Sequence, residues 1–342
     1  GVFMPILLEE DLQRPLPRMY RVRQQFDETR LEDVAGTVRA ELAKPEIRAL
    51  VKPGMRIAVG VGSRGIQNLY TIVETTVNSL KELGAEPFIV SAMGSHGGGT
   101  EEGQREVLAG YGITEERLGV PVVTTVDTVY LGNCANGRPV WFDRAAYEAD
   151  LIVPINRVKL HTDFVGPIQS GLCKMLVIGL GNHKGCSAVH EEAPEVFADA
   201  IEETARLILQ KAPVGFGIAI LENAYDKTYA VEAVPAEHLV EREKELVQIA
   251  KGNMPYIMLD EADVIVCGAI GKDISGAGFD PNILGRSSVL KQFVLHIPRY
   301  QRLVLCDVTP ASHGNGIGVG LFDVITKKVA EQLDLESMYA NA

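Results

Sequence analysis

The chain has 342 residues, 46% of them hydrophobic and 23% charged, with 34 glycines, the composition of a globular protein long enough for two domains. A formal net charge of -12 argues against nucleic-acid or anionic-membrane partners, whose non-specific binding needs a basic surface, and leaves small molecules as the expected ligands. No apolar stretch approaches the ~18 residues of a membrane span, and the opening GVFMPILLEEDLQRPL lacks the basic region of a signal peptide, so a cytoplasmic location is expected.

Residues 1–50 are charged and helix-prone, with a periodic segment from Asp33 to Lys44 that Pro45 ends and that should serve packing or a dimer contact. RIAVGVG reads as a buried strand, SRGIQNLYTIVETTVNSLKELG as a helix stopped by Gly84, and EPFIVSAMG as the next strand. Together they make a βαβ unit with the default right-handed crossover. Short strands follow in PVVTTVDTVYLG and PVWFD around the Asn136-Gly137 turn, then ADLIVPIN as another buried strand. Beyond residue 196 come a helix (EVFADAIEETARLILQKA), a strand pair (GFGIAILENAYDKTYAVEAVP) and a charged helix (AEHLVEREKELVQIAKG), all readable as scaffold. Asn253-Met254-Pro255 reads as a linker before a fresh pattern, ADVIVCGAIG and QRLVLCDVTP, followed by a second glycine-rich loop, GNGIGVG. The expected architecture is therefore α/β, two domains with mainly parallel sheets: residues 1–254 as the catalytic and cofactor domain, residues 255–342 closing an interdomain cleft. The last helix could pack back on the first domain.

Chemistry concentrates in residues 157–190, RVKLHTDFVGPIQSGLCKMLVIGLGNHKGCSAVH, which hold three of the seven histidines. Lys174 stands after the small turn Ser170-Gly171 in an apolar run, where desolvation would lower its pKa and make the amine nucleophilic; the alternative is a snorkelling lysine with its head in water. Gly60-Val61-Gly62-Ser63-Arg64-Gly65 matches GxGxxG, but the second strand ends in Ala92-Met93-Gly94-Ser95-His96 without the acidic residue a dinucleotide ribose needs, which disfavours NAD. What remains is either a loop whose backbone N–H groups and Arg64 hold a phosphate or carboxylate, or a tight turn with a solvated arginine. His96 and His161 each lie just past a strand's carboxyl end, where open α/β sheets place ligands, and their near-neutral pKa suits acid–base work. His96 could equally be a surface residue. His183 and His190 stand seven apart, but Gly185 is expected to interrupt a helix there, so a two-histidine zinc motif is not indicated. Five cysteines, odd in number and without CxxC spacing, suggest neither a disulfide framework nor a zinc finger.

The order GSHGG (His96), KLHTDF (His161), SGLCK (Lys174) and then His190, sixteen residues later, resembles the lactate racemase family, whose members use a nickel-pincer nucleotide. The resemblance covers residues 50–200 well and the remainder loosely. It implies that Lys174 carries the cofactor as a thioamide, that His190 ligates nickel, and that His96 and His161 form the acid–base pair, with Gly62, Ser63, Arg64, Gly65, Ser170 and Gly171 lining the cofactor. It also implies enzymes of cofactor biosynthesis as partners, alongside a possible homo-oligomer.

Two departures stand out. The family's D-x-T-R loop is Val61-Gly62-Ser63-Arg64 here, so its aspartate is missing while the arginine is kept. In GAIGKDISGAGFDPNILGR, the glutamine and lysine expected of the second-domain substrate clamp fall on Gly278 and Pro281. Lys272 or Arg286 could replace the lost cation, with His313 and Asn315 also available to a substrate. The expectation is a racemase or 2-epimerase of a 2-hydroxy acid that inverts C2 by hydride transfer, with Arg64 on the carboxylate. A wider, less cationic pocket at Gly278 and Pro281 would favour a bulkier substrate than lactate, such as a sugar acid. The alternatives are a mononuclear metal hydrolase with His96, His161 and His190 as ligands, or a nucleotide-binding module without turnover.

Overall fold

A computed structural model describes residues 8–62 and 65–339. Its centre is a six-stranded sheet in the order β3-β2-β1-β6-β7-β8, formed by β1 (Arg56–Val61), β2 (Glu86–Ser91), β3 (Val122–Val123), β6 (Leu151–Arg157), β7 (Phe216–Glu222) and β8 (Thr228–Pro235). All neighbours are parallel except β7 and β8, the pair that the short connection in GFGIAILENAYDKTYAVEAVP predicts. Continuous apolar runs explain the burial: β1 is covered from Ile57 to Val61 and β7 throughout, as strands with helices on both faces must be. One face packs on Ile57, Val59, Ile72 and Val77, the other on Ala58, Ile152, Leu172 and Leu176.

The helix Val34–Leu42 lies against the helix Leu69–Glu82 and β8, held at its start by the Asp33 side chain, which accepts from the Gly36 N–H. Pro45 ends this helix as expected and also opens a second short one, Pro45–Arg48, because its fixed φ suits a first helical position. The hairpin of β4 (Thr128–Asn133) and β5 (Pro139–Asp143) stands apart as a two-stranded sheet and packs on the helix Asn182–His190.

After the helix Leu239–Gly252, a three-stranded parallel sheet follows in the order β11-β10-β9, from β9 (Glu261–Cys267), β10 (Arg299–Leu305) and β11 (Val324–Ile325). It has its own small core of Ile270, Phe279, Leu284, Leu303, Leu305 and Val329. Among the described residues no helix is long and apolar enough to cross a membrane.

Candidate active site

β1 pairs with β2 on one side and β6 on the other, so the carboxyl ends of all three open on one rim. β1 and β6 adjoin where the chain reverses its direction of sheet growth, the position at which open α/β sheets leave a crevice. His96, exposed, stands on a loop after β2, and Gly94, Gly97, Gly98 and Gly99 all have positive φ. That conformation, which glycine adopts without steric cost, accounts for the glycine run. The buried Gln104 amide fastens the loop by donating to the carbonyls of Gly94 (2.9 Å) and His96 (3.2 Å). Ser95 Oγ lies 3.9 Å from Cys186 Sγ, which seats the loop on the helix that ends in His190.

Beyond β6 the chain stays extended through Lys159 and His161, then returns to pair Lys159 with Ser170 through two backbone bonds of 3.0 and 3.1 Å. This return brings Lys174 over His161. The turn into the lysine's helix is fixed by Glu243, whose fully buried carboxylate accepts from the Leu172 N–H and, at 3.1 Å, from the Cys173 N–H. Only a glycine fits at 171, since a Cβ there would strike that carboxylate. Burial pushes the Glu243 carboxyl up, against the pull of those N–H groups. From Met175 to Gly179 the helix widens into a single π turn, so Lys174 sits at the mouth of a bulge of the kind common at functional sites.

Lys174 Nζ lies 2.8 Å from His161 Nε2. The Asp163 backbone N–H donates to Nδ1 of the same ring at 3.0 Å, which leaves Nδ1 unprotonated. A neutral imidazole must then carry its proton on Nε2 and donate it to the lysine, and only an uncharged amine has the lone pair to accept. Desolvation first, and the neighbouring Lys159 second, lower the Lys174 pKa from 10.5 to about 8, so the uncharged amine is the minority form at pH 7 yet is far more accessible than in a solvated lysine. His161 is driven well below its ordinary value by burial, with Lys174, Lys159 and His190 adding repulsion. The near-neutral histidine expected from the sequence is thus corrected to one that stays unprotonated. Burial and Arg157 lower Lys159 in the same way. His161 stacks on Phe164 at 4.3 Å, Phe164 meets Phe197 at 4.9 Å, and Phe197 meets His190 at 5.3 Å, so an aromatic ledge joins the two histidines. Desolvation and Lys174 lower the pKa of His190.

The helix Asn182–His190 runs straight through Gly185, contrary to the expected interruption. Close packing explains the glycine, because a Cβ there would lie 3.1 Å from the Trp141 carbonyl oxygen. Even so, no group of three His, Cys, Asp or Glu side chains converges as a metal site among the described residues. His96, His161 and His190 therefore do not form the ready ligand set that a mononuclear hydrolase requires.

Ser63 and Arg64 lie outside the described residues. Gly62 is a packing position, since a Cβ would come within 2.8 Å of the Ala92 oxygen and of Met175, whereas Gly65 has φ +84° and open space around it. The helix begins at Leu69, further on than the glycine motif suggests, and the Gln67 N–H before it already donates to Glu222 at 3.2 Å. Glu222 also faces Arg157 at 3.2 Å, and its carboxyl is raised by burial.

The second sheet meets this rim through residues 280–282. The buried Asn282 amide donates to the His161 carbonyl at 3.1 Å and to Asp280 Oδ1 at 3.1 Å. Asp280, raised by burial, faces Lys159, which pulls it the other way. Lys272, His313 and Asn315 gather instead around their own loop: the Lys272 N–H donates to Ser312 Oγ, Lys272 Nζ to the Gly276 carbonyl, and Asn315 accepts from the Ile317 N–H. Arg286 is engaged by Asp323 at 2.8 Å and by the Leu321 carbonyl. Gly278 does not widen a pocket, because a Cβ there would run into the Ile317 carbonyl. Pro281 is buried as the first residue of a short helix. The anticipated extra volume is thus already filled by backbone.

Lys159, Asp280, Asn282, Glu243 and Gln104 escaped the sequence reading. Two signals were available. Lys159 shares an extended face with His161 at a spacing of two, and Glu243 falls on the apolar stripe of Leu239, Leu246 and Ala250.

Residues 14–199 match the family model of the lactate racemase N-terminal domain. The structure is similar to that of the lactate racemase apoprotein from Thermoanaerobacterium thermosaccharolyticum, with a TM-score of 0.55 and 12% identity over 90% of this chain and 88% of that one. No curated protein matches the chain in sequence.

Proposed function

Because the chain belongs to the lactate racemase family through its N-terminal domain, we propose that it is a racemase or 2-epimerase of a 2-hydroxy acid, served by a nickel-pincer nucleotide. The observation that carries this reading is the 2.8 Å approach of Lys174 Nζ to His161 Nε2, which sets a buried amine of lowered pKa at a sheet rim rather than a solvated ammonium. The residues fit the cofactor. A nucleotide that brings its own sulfur and carbon donors to nickel asks the protein for a nucleophilic amine and one imidazole, not for a three-residue cage. Lys174 would form the covalent tether and His190 would be the nickel ligand. When bound, the cofactor supplies an acceptor that takes a hydride from C2 and returns it to either face.

The chain's own residues do the rest. His161, once Lys174 is tied to the cofactor and the ring takes its Nδ1–H tautomer in place of the Asp163 N–H bond, would take the hydroxyl proton at Nε2 on one side, and His96 on its glycine loop would serve the other. Lys159, whose charge is crowded by Arg157, gains from an anionic neighbour, so it joins Arg64 as a candidate for the substrate carboxylate. Asn282 holds the second-sheet segment against His161 and would shape the substrate's far end, where Lys272, His313 and Asn315 bind a longer acid only if their loop opens. The size preference therefore rests on that loop and not on space at Gly278.

The test is intact mass and metal content of the chain produced with the enzymes that make the cofactor, alongside Lys174→Ala. The wild type should carry a covalent adduct with nickel and racemise a 2-hydroxy acid, and the variant should lose the adduct and at least about 100-fold of the activity, the scale lost with a covalent group. An adduct that persists on Lys174→Ala contradicts the tether. Loading without turnover on any hydroxy acid would instead favour a cofactor-carrying module.

A further inference from the structure

The N-terminal arm and the outer edge of the three-stranded sheet are each uncovered, and their chemistries match. Residues 8–23 are exposed throughout, with Leu16 at 91%, Met19 at 90%, Tyr20 at 78% and Val22 at 80%. Apolar side chains this open on an extended segment signal a surface meant to be covered. The arm's chemistry is distinctive in a chain of net charge -12: residues 14–23, RPLPRMYRVR, hold four arginines and no acid.

β9 is the complementary feature. Among the described residues it is paired only with β10, which leaves its other edge open. Natural edges are blunted with lysine, proline or a bulge, and EADVIVC has neither lysine nor proline and keeps regular register with β10. Val264 and Val266 on its outer face are 48% and 61% exposed. Its acidic residues, Asp260, Glu261 and Asp263, stand without a lysine or arginine in residues 259–267. Glu261 also meets Arg299 at 3.0 Å, in a bridge exposed to solvent.

We propose that the arm of one copy adds as a strand to the β9 edge of a second copy, and reciprocally, to form an arm-exchanged dimer. Strand periodicity supports the fit on both faces. Tyr20 and Val22 alternate with Arg21 and Arg23, as Val264 and Val266 alternate with Asp263 and Glu261, so one register joins the apolar faces and opposes the charges. The root of the arm already lies beside the strand it would cover in the partner. Gln24 exchanges side-chain bonds with the Tyr256 carbonyl (2.9 Å) and the Met258 N–H (2.7 Å), and Phe26 packs on Tyr225 and Tyr256, just ahead of β9. A two-fold axis between two such edges carries each arm across to the other copy by the same path. Within one chain the arm leaves β9 bare, so the cover comes from the second copy.

Light scattering on the full chain at micromolar concentration should give twice the 37.1 kDa chain mass, and Val22→Asp, which sets a charge against the apolar face of Val264 and Val266, should weaken self-association by at least about tenfold. Circular dichroism on Val22→Asp checks that the fold is intact, as expected for a residue outside every core cluster. Path is tested by mixing a Val22→Cys chain with a Val264→Cys chain, both with Cys267 and Cys306 replaced by serine, under mild oxidation. A disulfide between the two different chains supports exchange. A monomeric wild type, a dimer that Val22→Asp leaves unchanged, or a disulfide formed only when both cysteines are on one chain overturns it.

Discussion

The two parallel sheets meet water differently. In the six-stranded sheet, β1 is buried from Ile57 onward and β6 over its first five residues, whereas β9 of the three-stranded sheet has no fully buried residue. The first sheet can therefore hold charged groups out of water at its rim and move their pKa values, as it does for Lys174 and His161. Strand β9 of the second sheet offers no such cover, and the carboxyl of Asp280 is raised by burial only where its segment meets the first sheet's rim. The second sheet contributes an uncharged amide, Asn282, to the site and presents an open edge to other molecules. Reactivity sits on the rigid, covered layer, and adjustability on the lighter one.

The sharpest way to break this contrast is to mutate one residue in each region, a buried carboxylate in the first and an exposed valine in the second. Glu243→Ala strands the N–H groups of Leu172 and Cys173 in the core, and should cost about 3 kcal/mol in urea unfolding. Val266→Thr on β9 should stay within about 0.5 kcal/mol in the isolated chain. Equal losses would mean that the two layers are not differently committed.

Lys174→Met probes the same contrast with the opposite sign. A lysine whose folded pKa falls from 10.5 to about 8 has its stability contribution in place above 10.5 and loses it as pH drops through 10.5 toward 8. At pH 7 the unfolded chain binds that proton more readily, so Lys174→Met should be more stable than wild type there by about 1–3 kcal/mol. The gap should close toward pH 10.5. The same variant removes a cation from His161, whose pKa should rise, as a histidine NMR titration would register. A smaller effect belongs to Asn282→Ala: about 1 kcal/mol of stability and faster amide exchange around His161, with the first sheet otherwise unaltered.

Much of this was legible in the chain. Continuous apolar runs at RIAVGVG and ADLIVPIN specify buried parallel strands, and glycine and proline mark the turns between them. Lys174 stood out as a charge in an apolar run because desolvation is a local property of sequence as well as of structure. What stayed hidden depends on contacts across the fold. Gly185 reads as a helix breaker until Trp141 is seen against it, and Gly278 reads as lost volume until the Ile317 carbonyl fills it. Asn282 is 121 residues from His161, so nothing in either neighbourhood announces their bond. Glu243 was masked by the charges around it in EREKE, although it alone falls on the buried stripe.

The central claim is that the fold lowers the pKa of the Lys174 amine to about 8 beside His161, and pulsed acylation of the full chain measures it directly. Labelling at Lys174, read by peptide mass spectrometry across pH 6 to 11, should follow a midpoint near 8, well below the 10.5 of an ordinary lysine amine. A midpoint for Lys174 near the ordinary 10.5 would contradict the account, because the amine would then titrate as a solvated ammonium.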